Sequence, residues 1–397
     1  MEQLFSKHVK ILTALKTIFR NSLIDKVPWQ ERLIGITGAR GVGKTTMLLQ
    51  HISENYGFKQ LALYYSLDDI SFPYQSLVEL ANEFVKRGGK YLFIDEIHKY
   101  PTWSQELKNI YDTHTDLHVV FTGSSILDIQ KGKADLSRRA LVFNMQGLSF
   151  REFLQIETKY EFDTYSLSDI IKNHKDISVS IFQKIKPFQY FNNYLKYGYY
   201  PYYLQNREFY PMRLSNTINH IIETDFPQIL NVDVKYINKI KRFLNILAND
   251  IPFSPNITSL AGAIGMSWQS VINYINYLDR AKIISIVFPE GKSVSMLSKP
   301  EKIFLHHPNL FYVFKNEIVN KGSIRETFFI NQLSYYHKVN TSNKGDFLIN
   351  NEYLFEIGGK NKSYKQIANI ENSFIAADDI EFGFGNKIPL WLFGFIY

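Results

Sequence analysis

The chain contains no cysteine among its 397 residues. That removes disulfides, zinc–thiolate sites and cysteine nucleophiles together. No apolar run approaches the roughly 18 residues a membrane-spanning helix requires. The opening stretch MEQLFSKHVKILTALKTIFRN has neither a signal-peptide core nor a cleavage site. Cytoplasm is the compartment these absences imply. Charge of one sign is also scarce. Forty-five Lys and Arg against 38 Asp and Glu leave only +7, a weak hint of an acidic partner and no nucleic-acid signature. The length suffices for two or three domains with their own cores. The opening stretch has helical periodicity, with Leu4, Val9, Leu12, Leu15 and Phe19 near one face, and reads as a packing helix. A membrane-surface helix facing lipid with Lys7, Lys10, Lys16 and Arg20 is the alternative.

Glycine is concentrated where it carries meaning. The run GITGARGVGKTTMLLQ holds Gly38-x4-Gly43-Lys44-Thr45, the pattern of a phosphate-binding loop. The apolar residues Leu33 to Ile36 read as a buried strand before it, and Met47, Leu48 and Leu49 open an amphipathic helix after it. Glycines at 38, 41 and 43 let successive N–H groups turn inward onto a β-phosphate. The helix starting at Lys44 adds the positive end of its dipole. The expected cradle is Gly38, Gly41, Val42, Gly43, Lys44, Thr45 and Thr46. Lys44 would reach the β- and γ-phosphates, and the Thr45 hydroxyl would ligate Mg²⁺. A nucleoside triphosphate is the implied ligand.

A phosphate-binding loop needs a carboxylate for the metal at the end of a nearby strand. Lys90-YLFI-Asp95-Glu96 supplies it. Asp95 is the expected metal-side acid, and Glu96 is placed to orient and deprotonate the attacking water. Further strands are expected at 61–67 and at Leu117 to Thr122. Thr122, Ser124 and Ser125 are candidate sensors of the γ-phosphate, the serines serving equally well as a helix N-cap. Arg138 and Arg139, in Asp135-Leu-Ser-Arg-Arg-Ala140, are candidates for an arginine finger, in cis or toward a neighbouring subunit.

RLIGITGARGVGKTTMLLQ, YLFIDEIHKYPTWSQELKNIYD, VVFTGSS, LSRRA and GLSFREFL, in that order, resemble the AAA+-related ATPases of bacteria and archaea. The resemblance implies an α/β fold. A parallel P-loop NTPase sheet with helices on both faces would be followed by a helical and winged-helix domain, then a small α/β domain related to restriction nucleases. It implies ATP and Mg²⁺ as ligands; no guanine-reading Asn/Thr-Lys-x-Asp motif follows the core. Pro101-x-Trp103 is typical of the family and is read as packing of the indole. Gly198-Tyr199-Tyr200-Pro201 stands where members commonly carry Gly-Gly-x-Pro.

The expected divisions are 1–30, an N-terminal helix; 31–155, the ATPase domain; 156–235, a helical connector; 236–315, a winged helix-turn-helix; and 316–397, the nuclease-like tail. In the connector, apolar side chains at helical spacing (Phe188, Phe191, Leu195) favour packing over base stacking. In the helix-turn-helix, the second helix begins Trp268, Gln269 and offers Asn273 but no base before Arg280, which is thin for groove binding. The tail offers Glu326, Asp346 and Glu356. The lysine comes late, at Lys360 or Lys362, because Gly358 occupies the position two after Glu356. Lys360 would lie about 6–7 Å further along the strand. A structural or protein-docking tail is therefore favoured over an active nuclease. Three functions remain: an ATPase whose turnover drives a conformational change, a nucleotide switch for a protein partner, and a DNA-directed ATPase–nuclease. A homo-oligomer is possible.

Overall fold

The computed structural model describes all residues except 17–18, 70–73, 127–135, 137, 250, 292–299 and 315–319. The chain divides into two units, Met1–Gly147 and Leu148–Tyr397. The overall class is α/β: a five-stranded parallel sheet with helices, then a helical region and a second, mixed sheet.

The first unit holds β1 (Leu33–Gly38), β2 (Ala62–Ser66), β3 (Tyr91–Asp95), β4 (His118–Ser124) and β5 (Leu141–Met145). Their spatial order is β2-β3-β4-β1-β5, with every neighbouring pair parallel. Strands covered on both faces read as continuous apolar runs, and all six residues of β1 are buried. β1 and β4 lie so close that a Cβ on Gly35 would stand 2.7 Å from the Phe121 ring. Around the sheet are α1 (Glu2–Thr13), α2 (Lys44–Asn55), α3 (Leu77–Lys86) and α4 (Trp103–Thr113). Ser76 caps α3 by accepting from the Glu79 amide at 3.0 Å. Leu77, Leu80, Ala81 and Phe84 then fall on one buried stripe. Trp103 packs against the same core, its ring 5.8 Å from that of Phe121.

α1 is a packing helix on the face its leucines mark, with Val9 the exception and His8 the addition. Leu4, His8 and Leu12 are buried, while Val9 is exposed. The imidazole belongs inside because its Nδ1 accepts the Tyr64 amide of edge strand β2 at 2.9 Å. Of the cations proposed for lipid, Lys7 pairs with Asp69 at 2.5 Å, and Arg20 with Asp25 and Glu54.

The second unit contains α5 (Phe150–Thr158), α6 (Leu167–Phe182), α7 (Phe188–Tyr197), α8 (Tyr210–His220), α9 (Phe226–Leu230), α10 (Ile237–Asn249), α11 (Ile257–Ile264), α12 (Trp268–Arg280), α13 (Phe311–Phe314) and α14 (Lys321–Leu333). Its strands are β6 (Ile284–Pro289), β7 (Lys302–Leu305), β8 (Val339–Thr341), β9 (Phe347–Ile349), β10 (Tyr353–Gly358), β11 (Ser373–Ala377) and β12 (Lys387–Pro389). They form one sheet in the order β12-β11-β10-β9-β8-β6-β7.

The division falls at 147, ahead of the expected 155, because α5 packs within the second unit. The Phe150 ring lies 5.1 Å from that of Phe191 and 6.1 Å from that of Phe395. The expected separation at 315–316 lies outside the described residues. On either side of it the sheet is continuous, since Phe288 and Pro289 of β6 pair in parallel with Asn340 and Thr341 of β8. α11 and α12 meet at Gly265, and β6 and β7 follow as an antiparallel pair. The tyrosine-rich stretch is interior packing: Phe191, Tyr194, Tyr199, Tyr200 and Tyr203 are all buried. A Cβ on Gly198 would stand 2.4 Å from the Tyr194 ring. Tyr199 stacks on His307, with centroids 4.1 Å apart. Among the described residues no helix is long and apolar enough to cross a membrane.

Candidate active site

The loop between β1 and α2 has the conformation its glycines permit. Gly41 and Gly43 have φ of 88° and 106°, a region costly for residues with a Cβ. A Cβ on Gly38 would stand 2.4 Å from the Met145 carbonyl oxygen of β5. Val42 is buried and anchors the loop, while Thr45 is half-buried and Thr46 exposed. No side chain caps the N-terminus of α2. The first N–H groups of a helix have no partner within it, and at a loop of this kind they suit an oxyanion. Lys44 lies buried across the loop, its Nζ donating to the carbonyls of Gly38 and Ala39 at 3.0 Å each.

Asp95 ends β3, two strands from β1, with β4 between them. Its Oδ2 accepts from the Thr45 hydroxyl at 2.8 Å and from the Tyr64 hydroxyl at 2.9 Å. Its Oδ1 accepts from the Thr122 hydroxyl. Thr122 also accepts from the Glu96 amide at 3.0 Å. Glu96 itself has φ of 55°, a left-handed conformation costing roughly 1–2 kcal/mol for a residue with a Cβ. His98 Nδ1 lies 3.2 Å from Glu96 Oε2, with the imidazole almost fully buried. Thr45 beside Asp95 is a donor set that suits Mg²⁺, a hydroxyl and a carboxylate at the mouth of a phosphate loop.

The structure thus brings Gly38, Gly41, Val42, Gly43, Lys44, Thr45, Thr46, Asp95 and Glu96 to the carboxyl end of the parallel strands. Ser124 joins them, being paired in register with Gly38. Its Oγ accepts from the Ile126 amide at 3.3 Å, and the Ser125 amide donates to the Gly38 carbonyl. Arg138 and Arg139 are not brought there. They precede β5, whose first residue pairs with Ile34. That is about 13 Å down the sheet from Gly38. Arg139 donates to both carboxylate oxygens of Asp112 at 2.9 and 3.1 Å. Asp135, in the same motif, lies outside the described residues. Tyr64 went unnoticed in the sequence, since nothing in a chain 31 residues upstream marks a phenol that will meet Asp95 across the β2–β3 pair.

Residues 30–154 match the model of the AAA domain. Residues 188–313 match a domain of unknown function (DUF8612). A curated, uncharacterized protein of Methanocaldococcus jannaschii is 27% identical over 292 residues, 69% of this chain. The match spans 60% of that relative's length. Among solved structures, a RuvB variant of Thermotoga maritima aligns over 72% of this chain and 90% of its own, with 13% identity and a TM-score of 0.31. The Orc1 protein of Aeropyrum pernix in complex with DNA aligns over 78% and 90%, with 11% identity and a TM-score of 0.32.

Beyond the segment that matches the AAA domain, the second unit gathers the acids expected of its tail. The Asp346 Oδ2 accepts from the Ile357 amide at 2.7 Å. Glu356 is buried on β10, and Lys362 Nζ reaches its Oε1 at 2.5 Å. Lys362, not Lys360, folds back: a Cβ on Gly358 would stand 2.6 Å from the Lys362 Cβ, so the glycine leaves it room. Glu326 of α14 is pushed up to about 7, first by burial and then by the Asp346 carboxylate, with Lys302 opposing. Among the described residues, no group of three or more His, Asp or Glu side chains is arranged to hold a metal.

Proposed function

We propose that this protein is a Mg²⁺-dependent ATPase whose turnover drives a conformational change in the region after the AAA domain. The observation that carries the reading is the single hydroxyl–carboxylate network joining the phosphate loop, through Thr45, to Asp95 and on to Glu96. In the proposed chemistry Lys44 leaves the loop carbonyls for the β- and γ-phosphate oxygens, and Glu96 takes the proton of the attacking water. Magnesium, when bound by Thr45 and through water by Asp95, neutralises charge developing on the phosphates. Ser124 reports the γ-phosphate from beside Gly38. If Arg138 or Arg139 serves as a finger, it acts on a neighbouring subunit's nucleotide, because neither stands near its own loop. Nucleotide-dependent exposure to a protein partner, with negligible turnover, is the same site run as a switch.

The helix-turn-helix α11–α12 with the β6–β7 pair is read as a winged helix, and residues 316–397 as a nuclease-like domain serving as a docking scaffold. Residues 292–299, between β6 and β7 in the chain, lie outside the described residues. A second reading, a DNA-directed nuclease, is favoured by the convergence of Glu326, Asp346 and Glu356 with Lys362.

The test is ATP binding by calorimetry with Mg²⁺, followed by hydrolysis with and without duplex DNA. Wild type should bind ATP, and Lys44→Ala should not. DNA-stimulated hydrolysis together with Mg²⁺-dependent nicking of supercoiled DNA, lost in Glu356→Gln, would replace the scaffold reading with the nuclease one.

A further inference from the structure

The Asp95 carboxylate is held from more directions than a phosphate loop requires. Thr45 contributes one donor, from the P-loop helix. The other two come from the flanking strands: Thr122 from β4 and Tyr64 from β2. Asp95, Tyr64 and Thr122 are all buried, so each donor acts in a medium where hydrogen bonds to charge are strong.

The register explains how Tyr64 reaches. Ser66 is the partner of Asp95 and Tyr64 that of Phe93. Alternation puts all four side chains on one face of the sheet. Tyr64 starts two residues, about 6–7 Å, below the carboxylate, a gap the length of a phenol spans. The backbone behind it is fixed in turn, since its amide donates to His8 of α1 at 2.9 Å.

We propose that Tyr64 is a positioning residue for the divalent metal: its phenol fixes the orientation of Asp95 Oδ2, the oxygen shared with Thr45, toward the metal's water shell. The inference rests on the nucleotide reading above. A hydroxyl that merely satisfied a buried carboxylate would affect folding stability. One that orients it for the metal affects the metal increment of nucleotide affinity.

The experiment measures ADP affinity by calorimetry in EDTA and across a Mg²⁺ titration, for wild type, Tyr64→Phe and Tyr65→Phe. Tyr65 is the control because it lies one residue along β2 and points to the opposite face. Thermal unfolding verifies that each variant is folded. In Tyr64→Phe, affinity in EDTA should stay within about twofold of wild type, while the Mg²⁺ midpoint rises roughly 10–100-fold, the usual cost of removing a hydrogen-bond partner of a metal ligand. Tyr65→Phe should match wild type. A Mg²⁺-dependent wild type with an unchanged midpoint in Tyr64→Phe overturns this inference alone. So does an equal shift in both variants. A wild type that binds no ADP overturns the nucleotide reading, and this inference with it.

Discussion

Asn309 and Asp95 are both buried polar side chains, and each is satisfied by groups that no local sequence pattern connects. Asn309 Oδ1 accepts from the Tyr199 amide at 2.9 Å and the Tyr210 hydroxyl at 2.6 Å. Its Nδ2 donates to the carbonyls of Tyr194 and Leu195 at 2.9 and 2.8 Å. Asn309→Ala should therefore strand several buried groups and cost about 3 kcal/mol, seen as a lower unfolding midpoint. A loss under about 0.5 kcal/mol, the size of an ordinary surface change, would mean those groups find other partners. The phosphate loop was legible because backbone geometry dictates glycine at fixed offsets, and Asp95-Glu96 because an acid pair closes an apolar run. Tyr64 and the Arg139–Asp112 pair were not, for their partners are set by strand order and by helix length. Lys362 was legible only as an alternative to Lys360, since it depends on how the chain turns after Gly358.

At the scale of elements, periodicity found α1 and the leucines of its buried face, but included Val9 and passed over His8. A histidine at the centre of an amphipathic stripe reads as polar, yet here it closes the open edge of β2 by accepting the Tyr64 amide. Edge strands are commonly protected by such covers. His8→Ala should speed hydrogen exchange at the Tyr64 amide selectively, with the central strand β1 unaffected. Its stability cost should be about 1–3 kcal/mol for the amide left without an acceptor. Unchanged protection at Tyr64 would show that α1 covers the edge without that bond. The two expected C-terminal domains share one sheet for a comparable reason: strand pairing between β6 and β8 is a long-range contact that composition shifts along the chain do not report.

At the scale of the whole molecule, the second unit carries two buried histidines, His306 and His307. Burial holds both well below their ordinary range. Below about pH 6.5 the unfolded chain binds protons that the folded chain refuses. Stability of this unit should therefore fall on acidification, at up to about 1.4 kcal/mol per pH unit for each histidine. Glu326 works in the opposite sense. Raised to about 7, it binds its proton more readily when folded, and it opposes the trend between its unfolded value and neutrality. Urea midpoints at pH 7.5 and 5.5 should show the net loss, and His307→Phe, which keeps the stack on Tyr199, should reduce it. A midpoint insensitive to pH in both proteins would contradict the burial of these rings in neutral form.

The central claim is that Glu96 is the base of an ATPase site assembled around Asp95. Steady-state phosphate release from ATP and Mg²⁺, measured on wild type and on Glu96→Gln with nucleotide binding verified in both, tests it most directly. The account predicts multiple turnovers in wild type and, in Glu96→Gln, retained binding with turnover reduced by a factor of roughly 10²–10⁴. Turnover in Glu96→Gln equal to that of wild type would contradict it.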